Sequence, residues 1–159
     1  MLNDKILLRR LLLRLVIFFF AAIWFLGIIS PCFNFDLTNA FYPFQNQIYS
    51  TVCHQNAQKS FSYNEFSFLV CARCTGIYAG ALISALVIIF YLKQFLFSTK
   101  YLILFSIPML FDVILFNFGA YNYIHSLSAI TGLLFGSTVF LYILSAIEIL
   151  LFSKSKNYK

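Results

Sequence analysis

Four long apolar runs divide the chain, at 11–29, 75–92, 101–118 and 128–152. A bilayer core takes about 20 mostly apolar residues per helix, so each run predicts a transmembrane helix. The first carries Arg14 near its start, where the side chain is expected to snorkel to the interface. The second has no charge, and the third is interrupted by Pro108 and Asp112. The fourth holds Glu148 near its end, placed to reach the interface.

Between the first two runs, at 31–71, the pattern changes. Phe44, Ile48 and Val52 recur at helical spacing among further aromatics, which predicts a short helix lying at the membrane surface. Ser60-Phe61-Ser62-Tyr63 and Phe66-Ser67-Phe68 alternate around a possible Asn64-Glu65 turn, the pattern of a β-hairpin. The predicted fold is an all-α integral membrane protein, one domain over 1–159. It has four transmembrane helices and a long extracytoplasmic first loop containing an interfacial helix and a hairpin.

Charge sets the expected orientation. Lys5, Arg9, Arg10 and Arg14 flank the first run, Lys93 and Lys100 lie between the second and third, and Lys154, Lys156 and Lys159 follow the last. The loop at 118–127 has no Lys or Arg, and the loop at 31–70 has Lys59 against Asp36 and Glu65. The positive-inside rule then places both termini in the cytoplasm and the long loop outside. An uncleaved first span is preferred to a signal peptide, because the apolar run is long and Phe-rich and no small-residue cleavage site follows. Pro31 before Cys32 is a poor fit to a lipoprotein site.

Composition agrees. Hydrophobic residues make up 62% of the 159 residues and charged residues 10%, too few for the charged shell of a soluble domain. The net charge of +6 sits in flanks of apolar runs rather than on a folded patch, which argues against nucleic acid. The partner this composition implies is the lipid bilayer.

The rare residues carry the chemistry. Cys32, Cys53, Cys71, Cys74, His54 and His125 all fall on the expected outer side. A hairpin between Cys53-His54 and Cys71-Ala72-Arg73-Cys74 would return the first pair to the second. Cys53, His54, Cys71 and Cys74 would then form a Cys₃His set suited to zinc or iron. The same residues support a membrane thiol–disulfide oxidoreductase. Cys71 and Cys74 open the second span, where the helix N-terminus and Arg73 favour thiolate, and a quinone would take the electrons. In that case Cys32 and Cys53 are candidates for the second pair. The third alternative is two structural disulfides in an accessory subunit.

Asp112 is expensive inside a span unless it is paired or faces water. Arg73 and His125 are its candidate partners, with Arg73 preferred. The alternative is bonding to hydroxyls or to backbone groups freed by Pro108. Gly76, Gly80 and Ser84, and likewise Ser128, Gly132 and Gly136, form small-residue faces. These predict close packing of the second and fourth spans in preference to a homodimer or a membrane-protein partner. The repeated Thr-Gly-x-x-x-Gly at Thr75 and Thr131 hints at a duplicated hairpin.

Cys53-His54-Gln55, Lys59-Ser60-Phe61 and Cys71-Ala72-Arg73-Cys74-Thr75-Gly76-Ile77-Tyr78-Ala79-Gly80 resemble the signature of a family of small bacterial membrane proteins known as a domain of unknown function. The resemblance continues through Pro108 and Asp112 to Thr131-Gly132-Leu133-Leu134-Phe135-Gly136. It implies a bacterial cytoplasmic membrane and a shared site at Cys53, His54, Cys71 and Cys74, with Cys32 peripheral. It brings no activity. Family members often carry Arg at the position of Ser128 and Asn at that of His125.

Overall fold

The computed structural model describes residues 2–33, 36–63, 66–91, 96–119 and 121–153. It contains α1 (Leu2–Ile29), a 3₁₀ turn (Ser30–Phe33), α2 (Asp36–Ser50), a second 3₁₀ turn (Ala57–Lys59), β1 (Ser60–Tyr63), β2 (Phe66–Cys71), α3 (Ala72–Ile89), α4 (Thr99–Asn117) and α5 (His125–Ser153). The helices α1, α3, α4 and α5 are each long and apolar enough to cross a membrane. The 18 residues of α3 rise about 27 Å at about 1.5 Å each, close to the thickness of a hydrocarbon core.

The spanning helices pack side by side in the order α1, α3, α5, α4. The α3–α5 contact is the closest, and glycine makes it so. A Cβ on Gly76 would strike the carbonyl oxygen of Ala129, and one on Gly80 that of Leu133. From the other helix, a Cβ on Gly132 would strike the carbonyl of Arg73, and one on Gly136 that of Ile77. The contacts are reciprocal: Gly76 and Gly132 are equivalent in the two copies of the Thr-Gly-x-x-x-Gly pattern, as are Arg73 and Ala129. Ser137 adds a hydroxyl bond to the Gly80 carbonyl at 3.1 Å. The small-residue faces are therefore used within the chain, α3 against α5.

Helix α4 is the least covered span, leaving Ile103, Leu104, Leu110 and Phe111 exposed; a bilayer supplies the apolar surroundings these side chains lack. Pro108 lies inside this helix, where it deprives one carbonyl a turn earlier of its usual donor.

One end of the structure holds the hairpin, α2 and the N-termini of α3 and α5. Strands β1 and β2 pair antiparallel, Ser60 opposite Cys71 and Tyr63 opposite Phe66, with an irregularity between Ser60 and Ser62. The expected turn at 64–65 lies outside the described residues. Helix α2 docks on α1 through Tyr49, whose hydroxyl donates to the Trp24 carbonyl at 2.7 Å. Its ring meets Trp24 edge-on with centroids 4.9 Å apart. Beneath the hairpin, Ile28, Tyr49, Cys53, Leu69 and Val70 form one buried cluster.

The opposite end corrects the expectation for Arg14 and Glu148. Neither side chain reaches out to an interface: both are buried, at 3% and 1% exposure, and they pair with each other. Taking a lone charge out of water is costly, and a mutual two-bond pair offsets much of that cost where a solitary snorkelling side chain would not.

Candidate functional site

Three of the four cysteines converge where the hairpin meets α3. The sulfurs of Cys53, Cys71 and Cys74 all lie within 4.8 Å of one another. Cys71 ends β2 and occupies the position before the first turn of α3, with extended backbone (φ −65°, ψ 161°). The helix then carries Cys74 round to the same side. Cys53 arrives from α2: its amide bonds the Tyr49 carbonyl at 3.0 Å, closing off that helix. Its sulfur in turn accepts the Cys71 amide at 3.3 Å. Cys53 belongs to the buried cluster, and Cys71 and Cys74 pack against it with Trp24 and Tyr78 alongside. All four cysteines are free thiols in the structure.

His54 is not among them. The residue after Cys53 points away and is exposed, and the loop conformation is the reason. Gln55 takes a left-handed backbone (φ 48°), a conformation costing a non-glycine residue about 1–2 kcal/mol. Its side chain bonds the Asn46 carbonyl at 3.0 Å. Asn56 then accepts from the Gln58 amide at 3.0 Å. The chain reverses within these residues, turning Cys53 inward and His54 outward. Cys32 also stands apart, its sulfur facing the Phe66 carbonyl at 3.9 Å near the far end of the hairpin. The structure thus does not bring Cys32 and Cys53 together as a pair.

A hydrogen bond from Cys74 holds the Cys71 thiol down at about 5, more than offsetting the upward push of burial. Amide bonds from Cys74 and Arg73 and a bond from Cys53 add to the lowering. The sulfur at the head of α3 is thus biased toward the thiolate, the form that binds metals and attacks disulfides.

Arg73 faces the neighbouring helices. Its Nε and Nη2 donate to Asp112 Oδ2 at 3.2 and 2.5 Å. Ser128 donates to the same oxygen at 3.1 Å, and Tyr121 donates to Oδ1. The two alternatives for Asp112 are thus realised together, an ion pair and hydroxyl bonds. This cluster joins α3, α4 and α5 one residue from each of Ala72 and Cys74. Burial, with the bond to Asp112 second, pushes the Tyr121 phenol up to about 12, so it stays a donor.

His125 is not a partner of Asp112. Its Nε2 lies 3.0 Å from the Gln58 carbonyl, and its ring stands edge-on to Tyr123 at 5.2 Å. Lys59 sits 4.3 Å above the Phe116 ring. These contacts tie the 3₁₀ turn that leads into β1 to the head of α5 and the C-terminal end of α4. Sequence reasoning missed Tyr121 and the shell of Trp24, Tyr49 and Tyr78, because aromatics are common throughout the chain. The Arg14–Glu148 pair had a signal: each is an isolated charge within an apolar run, on the same side by charge bias.

The donor chemistry is soft. Three thiols at this separation can hold a metal ion: four-coordinate zinc with Zn–S of about 2.3 Å sets sulfurs about 3.8 Å apart, so closing on an ion needs about 1 Å of movement or less. Thiolate sets of this kind select zinc, copper(I) or iron over hard cations.

Comparison with known proteins places the sequence that builds this site in a family. The chain matches the family described as "Predicted membrane protein (DUF2085)" over residues 53–142, which contain the three converging cysteines, Asp112 and the α3–α5 glycines. It is 38% identical over 112 residues to an uncharacterized protein of Methanocaldococcus jannaschii, covering 69% of this chain and 72% of that protein. It is 40% identical over 50 residues to an uncharacterized protein of Methanothermobacter thermautotrophicus, covering 31% of this chain and 40% of that one. No solved structure matches. The chain belongs to the DUF2085 family of membrane proteins.

Proposed function

We propose that this membrane protein binds one thiophilic metal ion, zinc or iron, through Cys53, Cys71 and Cys74 on the extracytoplasmic face. The convergence of three free thiols within 4.8 Å carries the reading. A disulfide staple would need two of these sulfurs at about 2.05 Å. The outer placement rests on loop charge: the thiols share an end of the helices with the Lys- and Arg-poor loop at 118–127, opposite the end near Lys100. Protein purified without chelators is expected to carry about one metal per chain, lost in Cys71→Ser. Metal-free protein with intact thiols overturns the proposal.

A second reading, thiol–disulfide exchange with a membrane quinone, is favoured by the lowered Cys71 thiol beside Cys74 in a C-x-x-C. It predicts a reversible Cys71–Cys74 disulfide. The apolar cavity of about 200 Å³ lined by Ile83, Ser84, Val87, Ile88, Tyr91 and Leu141 lies farther along α3. That is about 14 Å or more of helix rise from Cys74, too far to deliver a quinone to the thiols.

A further inference from the structure

Resting on the metal reading above, we propose that the ion held by Cys53, Cys71 and Cys74 keeps a fourth position open to a small neutral donor from outside the chain. The site would then be of the exchanging kind rather than a closed structural one. Structural zinc sites close with four protein ligands, whereas sites that bind or activate an outside molecule use three. Here the three are thiols, and among the described residues no further Cys, His, Asp or Glu joins the group.

Among the described residues, the side chains that could have closed it are turned away or bonded elsewhere. His54 is turned out by the Gln55 bend. Cys32 faces the Phe66 carbonyl. Asp112 is taken by Arg73, Tyr121 and Ser128. His125 bonds the Gln58 carbonyl.

Access and charge narrow the ligand. Cys53 is buried, but Cys71 and Cys74 are only half-buried, so an ion on the trio is reached from their side. Three thiolates around a divalent ion leave a net negative charge, and the adjacent guanidinium, Arg73, is already neutralised by Asp112. A further anion is therefore disfavoured, and a neutral donor, water or an imidazole-type nitrogen, is preferred.

The test uses full-length protein in detergent loaded with cobalt(II), whose visible bands report its ligands. Imidazole is expected to shift those bands saturably, with one ligand per chain, in wild type and equally in His54→Ala. Cys71→Ser is expected to lose sulfur-to-cobalt charge-transfer intensity. Bands that imidazole does not move overturn the open position and leave the metal reading standing. A shift on mutating His54 alone, before any imidazole is added, also overturns it by showing that His54 closes the site. Failure of the wild type to take up cobalt overturns the metal reading and this inference together.

Discussion

Arg14 and Glu148 stand 134 positions apart in the chain and meet in a two-bond ion pair, Nε to Oε1 at 2.6 Å and Nη2 to Oε2 at 3.0 Å. The remaining nitrogen of Arg14, Nη1, donates to the Ile88 carbonyl at 2.9 Å and to that of Tyr91. One guanidinium thus ties α1 to α5 and also donates to carbonyls at the C-terminal end of α3, where the helix dipole favours a cation.

Because the pair is buried, removing one member should cost far more than removing both. Glu148→Ala leaves a guanidinium without its counter-charge and is expected to cost about 3–5 kcal/mol. The double replacement Arg14→Met with Glu148→Leu should recover most of that loss. Denaturation of the purified variants in one detergent measures both. A double variant no more stable than Glu148→Ala would show that packing, not charge, sets the cost.

Two glycine positions should respond differently for separate reasons. At Gly76 a side chain meets the Ala129 backbone carbonyl, which cannot move aside without parting α3 from α5. Gly76→Val is expected to destabilise by about 1–3 kcal/mol or more, as overpacking does. Gly119 has open space around it but a φ of +70°, so Gly119→Ala should cost only about 1 kcal/mol, from backbone strain. Thermal unfolding of the two variants checks the ranking; equal losses would contradict the close α3–α5 contact.

The four spans were legible because each is a long apolar run, and the hairpin because its alternation changes period. Cys53, Cys71 and Cys74 were legible because a hairpin returns one end to the other. His54 was misplaced with them: adjacency in sequence does not imply a shared direction, and the bend at Gln55 sends it outward. Arg14–Glu148 was read as two separate surface charges, since a contact between the first and last spans depends on helix order. The glycine contacts fix only α3 against α5; that α1 packs on the other side of α3 has no local mark in the sequence. Tyr121 and Ser128 were hidden because nothing local marks a Tyr or Ser as a partner of Asp112.

Asp112 links the least-covered span to the thiol site. Asp112→Asn keeps the shape and a carbonyl for Tyr121 but leaves Arg73 without its counter-charge. Because Arg73 remains 19% exposed, water shares the burden, and a loss of about 2 kcal/mol is expected, below the range for a fully buried pair. Removing Arg73 as well should restore part of it. Chemical denaturation of Asp112→Asn, Arg73→Gln and the double variant gives the coupling; simple additivity would argue against a working ion pair.

The lowered Cys71 thiol gives a pH signature in metal-free protein. Its ordinary value is 9.0 and its folded value about 5, with the bond from Cys74 as the largest cause. Thiolate is the reactive form, so alkylation of Cys71 should stay fast from alkaline pH down to about 6 and fall as pH drops through about 5. For stability the sign follows the same direction: the contribution is complete above the ordinary thiol range, shrinks as pH falls, and is gone below about 5. Cys74→Ala removes the main cause, so the labelling midpoint should move up toward the ordinary value of 9.0. Peptide-resolved iodoacetamide labelling across pH measures both proteins. A wild-type midpoint already in the ordinary range would show that Cys74 does not donate to Cys71.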